Sequence, residues 1–197
     1  MPDKVTIFTR VDSNKPIKTS LASLVLQKHP NKKVCIINVD DATLNKFKTK
    51  EVKLSNPAVE VWKSSFNNTE ILMFKFKISV KEHQQNNIAI DITKEDTDFY
   101  VFSPESFDLE DTFCDNVIKA LNKHKPHIGL VYGDIVMQDI KQYLPPFDRA
   151  NMMPDYGPYA IPKEVITEIK FTEGSIVDKI TQKFLGYHEP AMVSKVR

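Results

Sequence analysis

Glycine is scarce in this sequence, and that scarcity excludes the commonest phosphate cradles. The 197 residues include five glycines, with no G-x-x-x-x-G-K-[ST] and no G-x-G-x-x-G, so the glycine-rich loops that wrap nucleotide phosphates in many folds are absent. Cysteine is almost as rare. Cys35 and Cys114 are the two present, and without a Cys-x-x-Cys pair they form neither a zinc motif nor a redox dithiol. Both lie in apolar runs, as buried free thiols do, which fits a reducing compartment. A net charge of +1 gives no bulk argument for a nucleic-acid or membrane partner. No segment reaches the roughly 18 apolar residues a membrane span needs. The opening Met-Pro-Asp-Lys-Val-Thr-Ile carries no apolar signal core. The expectation is a soluble, cytoplasmic protein with no membrane span.

What is present is an ordinary globular composition, 41% hydrophobic and 27% charged, in a chain of one-domain length. Val5 to Thr9 is β-rich and ends in the polar stretch Arg10 to Asn14. Ile17, Leu21, Leu24 and Val25 then fall on one helical stripe, and Pro30 stops the helix. Val34 to Val39 is nearly continuous in apolar residues, the pattern of a strand covered on both faces. Two parallel strands joined by such a helix place both carboxyl ends on one sheet edge. Thr9 to Asp12 are thereby expected beside Asp40 and Asp41.

Further on, Val59 to Trp62 and Ile71 to Val80 read as strands, followed by a polar stretch over 81–97. Asp98 to Phe102 is an aromatic, β-branched strand that breaks into Ser103-Pro104-Glu105-Ser106. A helix is expected from Leu109 to His124, with Asp108 as its N-cap. Ile128 to Tyr132 reads as a buried strand, Tyr159 to Ile161 as a short one, and 163–169 and 175–185 as helices.

Acid recurs at the ends of these strands: Asp12, Asp40 with Asp41, Glu105 and Asp134. Any one of them is an ordinary turn or cap residue. Gathered on one edge they repel one another, unless a cation or a hydrogen-bonding ligand sits among them.

The order of pieces resembles the family 2 glycosyltransferases. Val5 to Thr9, the helix with "SLASLVLQKHP" and the strand "KVCIINVDDAT" resemble the family's nucleotide-binding opening. "DFYVFSPESFDLEDTF" resembles the strand carrying its metal-binding D-x-D, with Ser103 in place of the first acid and Glu105 matching the second. "HKPHIGLVYGDIV" and "GPYAIPKEVITEIKFTEGSIVDKITQKF" resemble the later strand and the acceptor-side segment. The resemblance implies an α/β, GT-A-like, Rossmann-type single domain over 1–197, with a mostly parallel central sheet flanked by helices. Residues 1–100 would be its nucleotide-binding half and 101–197 its metal and acceptor half.

It also implies a chemistry: transfer of a sugar from a nucleoside-diphosphate sugar to an acceptor hydroxyl, inverting the anomeric centre. The leaving diphosphate accumulates charge that a divalent cation, Mn²⁺ or Mg²⁺, neutralises. Glu105, Ser103 and His188 are its candidate ligands. Asp40 and Asp41 are candidates for ribose or base contact, with Thr9, Arg10 and Asp12 closing the same pocket. Asp178 is the candidate base that takes the acceptor proton, and Glu173 its alternative. Plain readings stand beside these: a helix cap for Asp40 and Asp41, a surface arginine, a turn acid at Glu105, a solvated helix position for Asp178, a structural histidine. The donor sugar and the oligomeric state are not legible. The acceptor is open between a glycan and a modified nucleic acid. The serine at 103 motivates a second function, a catalytically degenerate GT-A-like module that binds or assembles without transferring sugar.

Overall fold

The computed structural model describes residues 2–11, 20–47, 49–52, 54, 56–104, 107–125, 127–137, 140–142, 158–174 and 176–196, with only the backbone described at 20, 133–137, 140–142, 181 and 185–196. Its centre is one mixed sheet of eleven strands. Four strands lie parallel in the order β5 (Thr69–Phe76), β2 (Lys32–Ile37), β1 (Val5–Arg10) and β6 (Phe99–Phe102). On one side, β4 (Val59–Phe66) and β3 (Lys50–Val52) extend this block antiparallel. On the other, β10 (Tyr159–Pro162) runs antiparallel between β6 and β8 (Ile128–Met137). β11 (Leu185–Val196) pairs parallel with β8, and β7 (Phe107–Leu109) closes that edge antiparallel. β9 (Ile140–Gln142) pairs with β8 off the main path. Parallel pairing is thus concentrated in the block that carries the candidate site.

Alternation along the strands feeds two cores. Val5, Ile7, Val34, Ile36, Val101 and Val131 face α1 (Ser20–Val25), α2 (Asp41–Leu44) and α4 (Phe113–His124). Phe8, Cys35, Ile37, Tyr100, Leu130 and Ile161 face α3 (Glu82–Thr93), α5 (Lys163–Ile169) and α6 (Ile176–Lys183). Helices on both faces explain why β1, β2 and β6 read as continuous apolar runs. Both cysteines are buried and free, and burial pushes each thiol well above its ordinary range. Gly129 shows where one of the few glycines is required. A Cβ there would stand 2.6 Å from the Phe184 Cβ and 2.9 Å from Ile180, so only glycine lets α6 settle on β8.

Several expectations are corrected. The helix over Leu109 to His124 begins at Phe113, because Phe107–Leu109 pairs with β11 instead. Asp108 is therefore a ladder residue, opposite Lys195, and not an N-cap. The cap comes from far away in sequence. Gln27, 2% exposed, accepts from the Cys114 N–H at 3.0 Å and donates to the Glu110 carbonyl at 2.8 Å. The polar stretch 81–97 contains a twelve-residue helix, α3, which buries only Gln85, Ala89, Ile90 and Thr93. β5 ends at Phe76, and Ile78, expected to lie in the same strand, is fully exposed in the turn that follows. β8 runs on to Met137, so Asp134 lies inside a strand and not at its end. β11 hides behind Pro190, which ordinarily argues against an inner strand. The register breaks between Glu189 and Val193, and that irregularity accommodates the proline.

Candidate functional site

The carboxyl ends of β5, β2, β1 and β6 share one edge. The loops leaving them are tied to neighbouring strands by backbone bonds. Val11 N–H donates to the Ile37 carbonyl at 3.0 Å, Asn38 and Val39 both donate to Phe74, and Ser103 donates to Phe8 at 2.8 Å. Asn38 turns the chain out of β2 at φ 67°, a left-handed conformation asparagine tolerates better than most residues. Asp40 follows as the N-cap of α2, accepting from the Thr43 N–H at 2.7 Å. Hydrogen bonds from Thr43 hold its carboxyl below the usual carboxylate range. Asp41 stands exposed, 2.8 Å from the Lys75 ammonium.

Thr9 and Ser103 leave adjacent strands side by side. Phe8 lies opposite Phe102 in the ladder, so the next residue of each strand emerges on the face shared with α1 and α2. Both are buried, at 4% and 3% exposure. Among the described residues, the Thr9 hydroxyl has no hydrogen-bond partner. Ser103 Oγ makes a single long contact among the described residues, 3.5 Å to the Pro104 carbonyl. Two neighbouring buried hydroxyls with unspent bonding capacity are a place where an incoming polar group is favoured, since an unmade buried bond carries a desolvation cost.

Arg10 leaves the opposite face, and each of its three guanidinium nitrogens is engaged. Its Nε lies 3.1 Å from Glu82 Oε1, while Nη1 donates to Gln85 Oε1 at 2.6 Å and Nη2 to Asn86 Oδ1 at 3.0 Å. Burial pulls its proton affinity down and the Glu82 carboxylate opposes that. Every acceptor comes from the first two turns of α3, the helix hidden in the polar stretch 81–97. The same helix holds the acceptor-side loop: Lys81 Nζ donates to Glu173 at 2.6 Å, and the Asn87 amide brackets the backbone of Phe171. Beneath them runs an aromatic wall in which Phe8, Tyr100, Tyr159 and Phe171 all pack around Phe102, with ring centroids 5.2 to 6.4 Å from it.

The structure therefore brings Thr9 and Ser103 together, sets Asp40 and Asp41 at the end of the neighbouring strand β2, and links Arg10 to Glu173 through α3. Asp178 lies exposed in the first turn of α6, where the helix dipole favours an anion. His188 stands in register with Tyr132, Tyr159 and Phe102. Three strand spacings, roughly 14 Å, thus separate its backbone from that of β6. Asp12 and Glu105 lie outside the described residues. Among the described residues, no group of three or more His, Cys, Asp or Glu is placed to hold a metal ion. Ser103 alone offers one neutral oxygen, which does not fit a divalent cation that prefers carboxylates. Gln85, Asn86 and Asn87 are site residues that the sequence pattern does not single out; the pair of asparagines in a polar stretch is visible, but its helical phase is not.

No family model and no curated protein matches the chain. Among solved structures it is similar to S. aureus TarS, a family 2 glycosyltransferase, with a TM-score of 0.64 at 12% identity. The match covers 98% of this chain and 36% of TarS, so the chain spans about a third of the length of that protein. The likeness establishes a GT-A-like α/β fold. Among the described residues, no helix is long and apolar enough to cross a membrane.

Proposed function

We propose that the protein transfers a sugar from a nucleoside-diphosphate donor to an acceptor hydroxyl, with inversion. The observation that carries this reading is the shared carboxyl edge of β2, β1 and β6 in a GT-A-like fold, with an unpartnered buried hydroxyl at Thr9 and an ionised carboxylate at Asp40. Ligands of open α/β sheets bind at such edges. Asp40 and Asp41 accept from ribose hydroxyls or a base N–H. The Thr9 and Ser103 hydroxyls complete the hydrogen bonding that the fold leaves unmade. Asp12 closes the same pocket, and Arg10 reaches a phosphate only by exchanging its bonds to α3. On the acceptor side, Asp178, or Glu173 in its place, takes the proton from the attacking hydroxyl, a step worth about 10²–10⁴-fold. If Mg²⁺ or Mn²⁺ is used, Glu105 is the carboxylate to hold it, and the cation would neutralise the leaving diphosphate. His188 is the remaining candidate for the metal or the diphosphate, and its backbone lies three strands from β6. The single domain over 1–197 and a cytoplasmic setting remain part of this reading, with a glycan or a modified nucleic acid as acceptor.

A second reading has one specific observation behind it. Ser103 stands where a first metal-binding acid is expected, and with it the chain would be a binding or assembly module that no longer transfers sugar. One experiment addresses both. Calorimetry with nucleoside diphosphates, with and without Mn²⁺, is expected to give binding that Asp40→Ala abolishes. A donor-hydrolysis screen should then give turnover that Glu105→Ala cuts. Binding without turnover from any donor selects the module, and no binding of any nucleoside diphosphate sinks the first reading.

A further inference from the structure

The last turn of α5 ends in a costly conformation. Lys170 has φ 54° and ψ 151°, a region of backbone space that essentially only glycine enters freely. A lysine persists there only when its surroundings hold it. The next residue shows what does the holding. Asn87 Oδ1 accepts from the Phe171 N–H at 2.9 Å, and Asn87 Nδ2 donates to the Phe171 carbonyl at 2.7 Å. The two bonds imitate a rung of a β-ladder, made by one side chain. The Phe171 ring is buried edge-on against Phe102, at 5.2 Å between centroids. Two residues later, Glu173 meets Lys81 at the start of α3. Arg10 binds the neighbouring residues Glu82, Gln85 and Asn86 of the same helix. The end of β1 and the loop Phe171–Gly174 are therefore fastened to one short stretch of α3, residues 81–87.

We infer that Asn87 is a positioning residue: it holds Lys170 in its strained conformation and so sets where the Phe171–Gly174 loop, with Glu173, stands relative to the end of β1. The inference rests on the glycosyl-transfer reading for what the loop acts upon; the clamp and its strain do not. Asn87 touches no reacting atom. It acts through the loop that leads into α6 and Asp178.

Two substitutions separate the clamp from the strain. Asn87→Ala removes both bonds, and Lys170→Gly removes the strain that the bonds hold. In the full chain, amide exchange at Phe171 should accelerate at least about tenfold in Asn87→Ala, confined to 170–174. With a donor that the parent turns over, kcat should fall about 10–100-fold while donor KM stays within about twofold. Adding Lys170→Gly should recover about tenfold of that loss, because glycine adopts the conformation unaided. A merely structural asparagine would lower stability without the kcat split or the rescue. Unchanged exchange at Phe171, or a kcat loss that Lys170→Gly leaves in place, overturns the inference. Should Asn87→Ala not fold, Lys170→Gly alone decides. The clamp requires its Tm to rise, and an unchanged or lower Tm counts against it. If the parent turns over no donor, the functional reading falls, and the exchange and melting results decide the clamp by themselves.

Discussion

Thr9 and Arg10 are neighbours at the end of β1, yet they leave the sheet into opposite conditions. Thr9 is buried, with a hydroxyl that nothing bonds among the described residues. Arg10 is wrapped by Glu82, Gln85 and Asn86, with all three guanidinium nitrogens engaged. By residue type, the arginine is the obvious ligand contact and the threonine an ordinary strand residue. By surroundings the order reverses. A guanidinium engaged at all three nitrogens is already spending its charge on holding α3 against the sheet, whereas an orphaned hydroxyl costs stability until a ligand or water meets it. Binding capacity at a sheet edge is better judged from what a side chain still lacks than from its chemical type.

The comparison can be broken by substitutions of opposite expected sign. The largest effect should come from Arg10→Met, which keeps the aliphatic stem and removes the fork. It leaves the side-chain amide oxygen of Gln85, a residue 8% exposed, without its donor and should destabilise by about 1–3 kcal/mol in chemical denaturation. A change within a few tenths would mean that the α3 contacts are incidental. Thr9→Val should instead stabilise, by about 1 kcal/mol, because a methyl replaces an unbonded hydroxyl of the same shape. If the proposed function holds, the same variant should weaken nucleoside-diphosphate binding, so stability and affinity move in opposite directions. A loss of stability in Thr9→Val would show that the hydroxyl has a bonded partner after all.

Asp40 sharpens the comparison, being satisfied within its own helix yet exposed to solvent. Asp40→Ala should cost about 1 kcal/mol through the lost cap, whereas Asp40→Asn keeps the cap and removes the charge. Its carboxyl titrates below the usual range because Thr43 donates to it. Its contribution is therefore present at neutral pH and lost as pH falls through that lowered value. Solvent screens the exposed group, so the effect should be a fraction of a kcal/mol. The acid limb of the stability profile should be slightly flatter in Asp40→Asn than in the parent. A nucleotide site at Asp40 further requires that Asp40→Asn loses affinity while its neutral-pH stability stays.

Much of the framework is legible in the apolar pattern alone. Val34 to Ile37 reads as a strand covered on both faces, and Phe113, Val117, Ala120 and Leu121 fall on one side of a helix. Apolar periodicity is a local signal, and local signals survive folding. The same pattern places Asp40 just beyond a strand, while the GT-A-like order of pieces is legible only as a resemblance to a known family. What escapes is whatever a distant residue supplies. α4 starts where Gln27 caps it, 87 positions away from Cys114. α3 is polar along most of its length and is held by Arg10 and Phe171 as much as by its small buried face. β11 tolerates Pro190 because a register break absorbs it. The sequence by itself determined which segments must be buried, because burial follows apolar content and its period. Only the tertiary structure decided that Thr9 has a bond to offer, that Arg10 is engaged at all three of its nitrogens, and that Asn87 holds a strained lysine beside Glu173. Hydrogen-bond satisfaction belongs to pairs of groups, and the partners here lie tens of residues apart.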